Sequence, residues 1–440
     1  MPRRNRNAKA GAVAVAKSAA SPRPPQTEIL AWWAVAFALC SAAWIIDPFA
    51  DAAFDAPKWF CVLLGAAVAG VSMLAQASMP DWRSWSASAK WILTAALAGM
   101  LWLLLATLLS PHPQLAWPSL RRDALLALFA LVGASRLLDG KAGKYMLGVF
   151  LLACATNAVV SLGQYAGLEL LPIAQVGGRF ATGALLGNEG FVALACAMMA
   201  AASIACALDA TSLRQRIGFV MLAGLGLLVI VINQQKTAAA ALMAALLVVV
   251  ALRWRLRWLF AVMAGLLLLG TVSVLVPPLR TTTWATLPLA NYQRITTYRL
   301  GPWIAAVDMA NERPLSGYGP GAFEAEMQKH SFAAEIRLRE RLVPPIKTTF
   351  VYAHQDYLQL AAEAGIPTLL LFLGAILALF GKLALRVPTT LEQQVLLAIS
   401  AVGMIAALGW FPMHIPFTAC VLLLCAGRAW RLLAMLEAAR

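Results

Sequence analysis

Gly190-Phe191-Val192-Ala193-Leu194-Ala195-Cys196-Ala197-Met198-Met199-Ala200-Ala201-Ala202-Ser203-Ile204-Ala205-Cys206-Ala207-Leu208 carries no charge between Glu189 and Asp209. A helix needs about 20 predominantly apolar residues to cross the hydrocarbon core of a bilayer, and this stretch has that length. Eleven further runs of the same kind flank it. With it they give twelve expected spans at residues 29–46, 57–77, 91–109, 123–138, 145–167, 188–208, 217–232, 237–252, 258–276, 366–385, 395–411 and 415–432. Apolar residues make up 61% of the 440 and charged residues 12%, against about 45–50% and about 25% in soluble domains. That excess excludes a secreted disulfide scaffold, a disordered chain and an ordinary cytosolic enzyme. The expected fold is all-α: a polytopic integral membrane protein.

The positions of the charges orient it. Lys and Arg accumulate in short cytoplasmic loops. The segment 1–28 carries Arg3, Arg4, Arg6, Lys9, Lys17 and Arg23 and reads as a floppy cytoplasmic tail before a retained first span. Arg83/Lys90, Arg136/Lys141/Lys144, Arg214/Arg216, Arg253/Arg255/Arg257, Lys382/Arg386 and Arg428/Arg431/Arg440 then recur at every second turn. Both termini are therefore expected in the cytoplasm. The net charge of +15 is accounted for without nucleic acid. All seven cysteines fall in expected spans and read as small packing residues.

One connection breaks the rhythm. Between the spans at 29–276 and those at 366–432 lies a segment, 277–365, of 89 residues on the outer face, ahead of a short inner tail at 433–440. Loops of that length are usually functional. Helical stretches are expected within it at 297–311 and 322–342. All four histidines (112, 330, 354, 414) fall on the outer side, so proton transfer by His belongs there. No GxxxxGK[ST] phosphate loop occurs on the inside, and no Asp or Glu sits mid-span, which disfavours an ATP-driven or ion-coupled transporter.

Three outer motifs carry further information. They are Arg313-Pro314-Leu315-Ser316-Gly317-Tyr318-Gly319-Pro320-Gly321, Ala353-His354-Gln355-Asp356-Tyr357-Leu358-Gln359 followed by Glu363-Ala364-Gly365-Ile366, and Phe411-Pro412-Met413-His414-Ile415-Pro416. In this order and context they resemble the "RPLxGxGxG", "AHNxYLQ…ExG" and "FPLxxP" signatures of the O-antigen ligase/Wzy polymerase superfamily of bacterial membrane glycosyltransferases. The resemblance spans roughly residues 175–430. It departs at Gln235-Lys236, where the family often has Ser-Arg, and at Gly187-Asn188-Glu189, where it has an Asn-Pro-Asn-like stretch.

The resemblance implies a GT-C-like, metal-independent, inverting transferase in the inner membrane of a Gram-negative cell, with a periplasmic active site. The donor would be a glycan on undecaprenyl diphosphate. The acceptor would be lipid A–core in an O-antigen ligase, a second lipid-linked glycan in a polymerase, or a protein in an O-oligosaccharyltransferase. No cofactor or metal is implied, and lipids are the other partners. His354 is the expected general base, because a neutral imidazole near pH 7 accepts a hydroxyl proton. Arg294 and Arg299 are expected to hold the donor diphosphate, with Lys236 and Arg179 as further candidates, since guanidinium pairs bidentately with phosphate. Arg313, Asp356 and Tyr357 are lesser candidates. Asp356 is expected to pair with a loop Arg, His112 and His414 to serve their turns, Arg337, Arg339 and Arg341 to form a solvated helical face, and Glu324 and Glu326 to lie on an exposed helix.

Overall fold

The computed structural model describes residues 26–50, 52–75, 85–171, 181–254, 293, 296, 298–342, 349–386 and 389–438. The expected N-terminal tail through residue 25, the ninth span at 258–276, Arg179 and Arg294 lie outside them. Among the described residues there are helices and no strands. In chain order they are α1 Gln26–Trp44, α2 Ala56–Leu74, α3 Ala87–Leu108, α4 Pro113–Ala134, α5 Lys141–Tyr165, α6 Glu189–Asp209 and α7 Leu213–Ile232. α8 Lys236–Arg253, α9 Leu300–Glu312, α10 Phe323–Leu338, α11 Asp356–Ala384, α12 Leu391–Ala406 and α13 Pro416–Ala438 follow. Eight of these are long and apolar enough to cross a membrane: α2, α3, α5, α6, α7, α8, α11 and α13. The protein is a polytopic, all-helical membrane protein.

α6, the uncharged stretch with which the sequence reading began, is the centre of the bundle. It is buried almost throughout, from Glu189 to Ala207, and packs against α7, α12, α5 and α8. Its many alanines permit this close approach, because small side chains let helix backbones come together where lipid supplies no hydrophobic drive between them. α7 is the opposite case: Leu213, Ile217, Val220, Met221, Leu227, Leu228 and Val231 are exposed and face the lipid. Helix starts follow local chemistry. Asn188, Ser86 and Ser212 accept backbone N–H bonds at the N-termini of α6, α3 and α7, and Thr390 with Gln393 forms a capping box on α12.

Two helix starts differ most from expectation. α4 begins at Pro113, ten residues before the expected fourth span. Pro113 occupies the first turn, where its missing N–H costs nothing, so Arg121, Arg122 and Asp123 lie inside the helix instead of at its edge. α11 begins at Asp356, ahead of the expected 366, and bends at Gly365, whose φ of 83° and ψ of 160° interrupt the helix.

The turns expected on the inner side meet one another at one end of the bundle. Glu437 of α13 pairs with Arg386 and accepts from Ser86. Arg253 bonds the Leu208 carbonyl at 3.0 Å. Asp139, between α4 and α5, binds Arg428 at 2.5 Å and Arg431 at 2.5 and 3.0 Å, while Arg428 also binds Glu392 at 2.5 Å. Both guanidiniums are buried, so this carboxylate compensates charges that would otherwise be costly. Burial acts to raise the Asp139 carboxyl, and the hydrogen bonds and charges of Arg431 and Arg428 outweigh it, holding the group below the usual carboxylate range. A depressed folded pKa stabilises above the unfolded value of about 4 and is lost as pH falls through the folded one. Asp139→Asn is therefore expected to lower the melting temperature in detergent by an amount that is constant from pH 8 to pH 5. The loss should correspond to about 1–3 kcal/mol, less than for a fully buried pair because Asp139 is partly solvated. A melting temperature equal to wild type at pH 7 would remove Asp139 from the account of stability.

Candidate active site

At the other end of the bundle the three outer motifs come into direct contact. The bend at Gly365 frees backbone groups of α11, and the glycine-rich loop after α9 takes them up. Tyr318 N–H donates to the Ala362 carbonyl at 3.0 Å, Gly319 N–H to the Glu363 carbonyl at 2.7 Å, and Ile366 N–H to the Pro314 carbonyl at 2.8 Å. The close approach explains the glycines. A Cβ on Gly317 would fall 2.4 Å from the Glu363 backbone, one on Gly319 2.1 Å from Ser110 Oγ, and one on Gly321 2.3 Å from Ser119 Oγ; all three also have positive φ. Beneath this contact the Glu363 carboxylate accepts from Phe323 N–H at 3.1 Å and from the Gln359 amide at 3.2 Å.

The first turn of α11 holds the third motif. Asp356 accepts from His414 Nδ1 at 2.9 Å and from Met413 N–H at 3.0 Å, and its own N–H donates to the Ala407 carbonyl at 3.1 Å. This corrects the expected pairing of Asp356 with a loop arginine. The start of α11 points its carboxylate at the α12–α13 turn, while Arg313 lies over the Tyr318 ring at 5.0 Å and Arg337 binds Asp308 at 2.9 Å. Gln359 donates to His414 Nε2 at 3.3 Å, so His414 carries its proton on Nδ1 toward Asp356. Tyr357 donates its hydroxyl to the Met404 carbonyl at 2.9 Å, fixing α11 to α12.

His354 sits one residue before the α11 N-cap, in the left-handed region at φ 54°. That conformation costs a non-glycine residue about 1–2 kcal/mol. The neighbours impose it: Ala353 N–H donates to Gln359 Oε1 at 3.0 Å, and Gln355 caps α11 through Leu358 N–H. The imidazole is consequently held among rings. It stacks on Trp410 (5.5 Å between centroids, 28°), tilts on Phe411 (4.8 Å) and meets the edge of Phe350 (5.7 Å).

Arg299 reaches the same tryptophan from the other chain segment. Its guanidinium lies 4.4 Å from the Trp410 ring centre and donates to the Gly409 carbonyl at 2.6 Å. Thr237 faces the same glycine, which brings the exposed Lys236 at the head of α8 to this corner. His354 and Arg299 thus meet on Trp410, and Lys236 precedes the Thr237 that faces Gly409. Asp356 stands behind them as a brace, and Arg313 and Tyr357 make contacts internal to the fold. The expected helical face of Arg337, Arg339 and Arg341 is not continuous, because α10 ends at Leu338 and Arg339 turns left-handed at φ 53°. The expected exposure of the Glu324/Glu326 helix holds for Glu324 only. Glu326 is mostly covered and binds His112 Nε2 at 2.7 Å, which ties α10 to the turn before α4. Among the described residues no three His, Cys, Asp or Glu side chains group as a metal site, and every cysteine is free.

Residues 219–373, from α7 to beyond the α11 bend, match the Wzy_C family, O-antigen ligase. This match of 155 of the 440 residues supports membership of the O-antigen ligase/Wzy superfamily for that region. A search of curated proteins finds no match to it. The O-antigen ligase region contains Lys236, Arg299, the glycine-rich loop, His354 and Gly365, and it stops short of the Trp410-Phe411 pair on which His354 and Arg299 converge. Trp410, adjacent to a quoted motif, was the principal residue missing from the sequence reading.

Proposed function

We propose that this O-antigen ligase family protein transfers a glycan from undecaprenyl diphosphate to lipid A–core at the periplasmic face of the inner membrane. In this reading twelve spans place both termini in the cytoplasm, with 1–28 and 433–440 as tails, 29–276 and 366–432 as the membrane bundle, and 277–365 as the periplasmic loop that carries the motifs. His354 accepts the proton of the acceptor hydroxyl. The acceptor oxygen forms a bond to the anomeric carbon as the bond from that carbon to the diphosphate oxygen breaks, with inversion. Arg299, together with Arg294, Lys236 and Arg179, stabilises the charge that develops on the leaving diphosphate, in the place a metal ion would otherwise take.

The observation that carries this reading is the shared Trp410: a strained, ring-packed imidazole and a guanidinium occupy one aromatic platform. A base beside a fixed cation is what displacement of a diphosphate by a hydroxyl requires. The test is transfer by purified protein from lipid-linked oligosaccharide, with EDTA present, to lipid A–core, to a second lipid-linked glycan, and to a pilin-like protein offered separately. Transfer to lipid A–core that survives EDTA and inverts the anomeric centre is the expected result. Transfer to the glycan or the protein instead would reassign the acceptor, and a well-folded protein that binds donor and transfers to none would overturn the enzymatic reading in favour of transport.

A further inference from the structure

The ring cluster does not end at His354. Phe411, which tilts on His354, also packs on Tyr352 at 4.8 Å, and Tyr352 packs on His414 at 4.6 Å. The charges of Asp55 and Arg122 act on the Tyr352 hydroxyl. Arg122 lies over the Trp59 ring at 5.5 Å and binds Asp123 at 3.0 Å. A second path confirms the placement. Phe54 packs so tightly on Gly187 that a Cβ there would fall 2.4 Å from its ring, and Phe191, just inside α6, contacts both Trp410 and Phe411. The α1–α2 turn is thereby held beside the His354 platform. Contacts thus run from Arg299 through Trp410, His354 and Phe411 to Tyr352, on which the charges of Asp55 and Arg122 act.

We propose that Asp55, Trp59, Arg122 and Tyr352 form a saccharide-binding subsite that holds the acceptor sugar next to His354; this rests on the glycosyl-transfer reading above. Charge distinguishes the two ends of the contact chain. Arg299 and Lys236 make one end cationic, as a diphosphate needs. At the other end Arg122 and Lys58 are offset by Asp55, Asp123 and the nearby Glu363, so that end has no surplus positive charge for a diphosphate. It offers instead two carboxylates that accept from hydroxyls, a guanidinium and a phenol that donate, and two aromatic rings: amphipathic bodies with polar tips, the surface on which a polyhydroxylated ring is held and oriented. Burial, with the Asp55 charge next, pushes the Tyr352 hydroxyl up to about 12, so it remains a neutral donor throughout the working pH range. Arg122 and Asp123 keep 25% and 31% of their side-chain surfaces open, enough for a ligand to reach them.

The test uses the full-length protein in detergent or nanodiscs with Arg122→Gln, Trp59→Phe and Asp55→Asn. Donor and acceptor are titrated separately, and binding of lipid A–core is measured without donor. The subsite predicts that the acceptor KM and the lipid A–core Kd rise by about tenfold or more, while the donor KM stays within about twofold. Trp59→Phe retains the ring and guards against loss of folding in the other two. Unchanged acceptor KM and Kd in well-folded variants, or a rise in donor KM instead, overturns the subsite. Wild-type protein that binds lipid A–core but transfers nothing would count against the transferase reading, and the binding comparison would still decide the subsite.

Discussion

Replacing His354 by alanine is expected to lower glycan transfer by about 10²–10⁴-fold, the range supplied by a positioned general base, with no comparable loss of donor binding. The imidazole is held for this task by its surroundings. Its backbone is forced left-handed between two anchored neighbours, and its ring is packed by Trp410, Phe411 and Phe350. Trp410, Phe411 and Phe350, which pack around it, take no proton near pH 7. Alanine keeps the Cβ and therefore the same backbone strain, which limits the change to the ring. His354→Asn is the companion variant, since Asn tolerates the left-handed region and keeps a polar side chain that is not a base. Transfer rates in both variants, set beside melting temperature and donor affinity, check the assignment. Residual transfer within about tenfold of wild type in a folded His354→Ala protein would mean that the base lies elsewhere.

The largest effect on folding is expected at Gly365. Its φ of 83° with ψ of 160° belongs to a region populated essentially by glycine alone. A Cβ there would lie 2.1 Å from the Leu315 carbonyl oxygen and 2.5 Å from its carbon. Both are backbone atoms and cannot swing aside, so Gly365→Ala must break the seam between α11 and the glycine-rich loop. Conformational strain of about 1–3 kcal/mol and overpacking of about the same size add together, a large share of the stability of a typical domain. Little folded protein should survive extraction, as judged by a monodisperse peak in size-exclusion chromatography. Gly374→Ala, further along the same helix, meets no atom within 4 Å and should behave as wild type. Equal yields and melting temperatures for the two variants would show that the seam is dispensable.

These variants separate the two roles of the second motif. In the proposed reading His354 bears the chemistry, and Gly365, eleven positions later, bears the docking that holds the loop on the bundle. Asp356, Gln359 and Glu363 lie between them, one helical turn apart or less, and serve the second role: Asp356 holds the α12–α13 turn, Gln359 ties Ala353, His414 and Glu363 together, and Glu363 seats the start of α10.

Much of this was open to a reader of the sequence. Bilayer-length apolar runs are a property of neighbouring residues, so the uncharged 190–208 stretch reads as a spanning helix without any knowledge of its partners, while its burial at the centre of the bundle does not follow from the sequence. The two loop helices were expected within a few residues of Leu300–Glu312 and Phe323–Leu338, since amphipathic patterning and turn residues are also local. Glycines spaced two apart in 317–321 announced a loop with unusual backbone, and His354, Arg299 and Lys236 were singled out from their residue types and motifs. The alternation of basic turns anticipated which turns share an end of the bundle, as the pairing of Arg386 with Glu437 and of Asp139 with Arg428 and Arg431 bears out.

What the tertiary structure alone decided is which distant side chains meet. Asp356 binds a histidine 58 positions away, and Arg299 lies on a tryptophan more than 110 positions away. Each meeting depends on how helices cross and where they bend. Those are set by the packing of small residues along whole interfaces, as at α6, and by single steric facts such as the missing Cβ of Gly365. Composition and spacing determine that a segment is a helix and that a residue can do chemistry. They do not determine the angle at which two helices pack, and in this protein that angle brings His354 and Arg299 onto one aromatic platform.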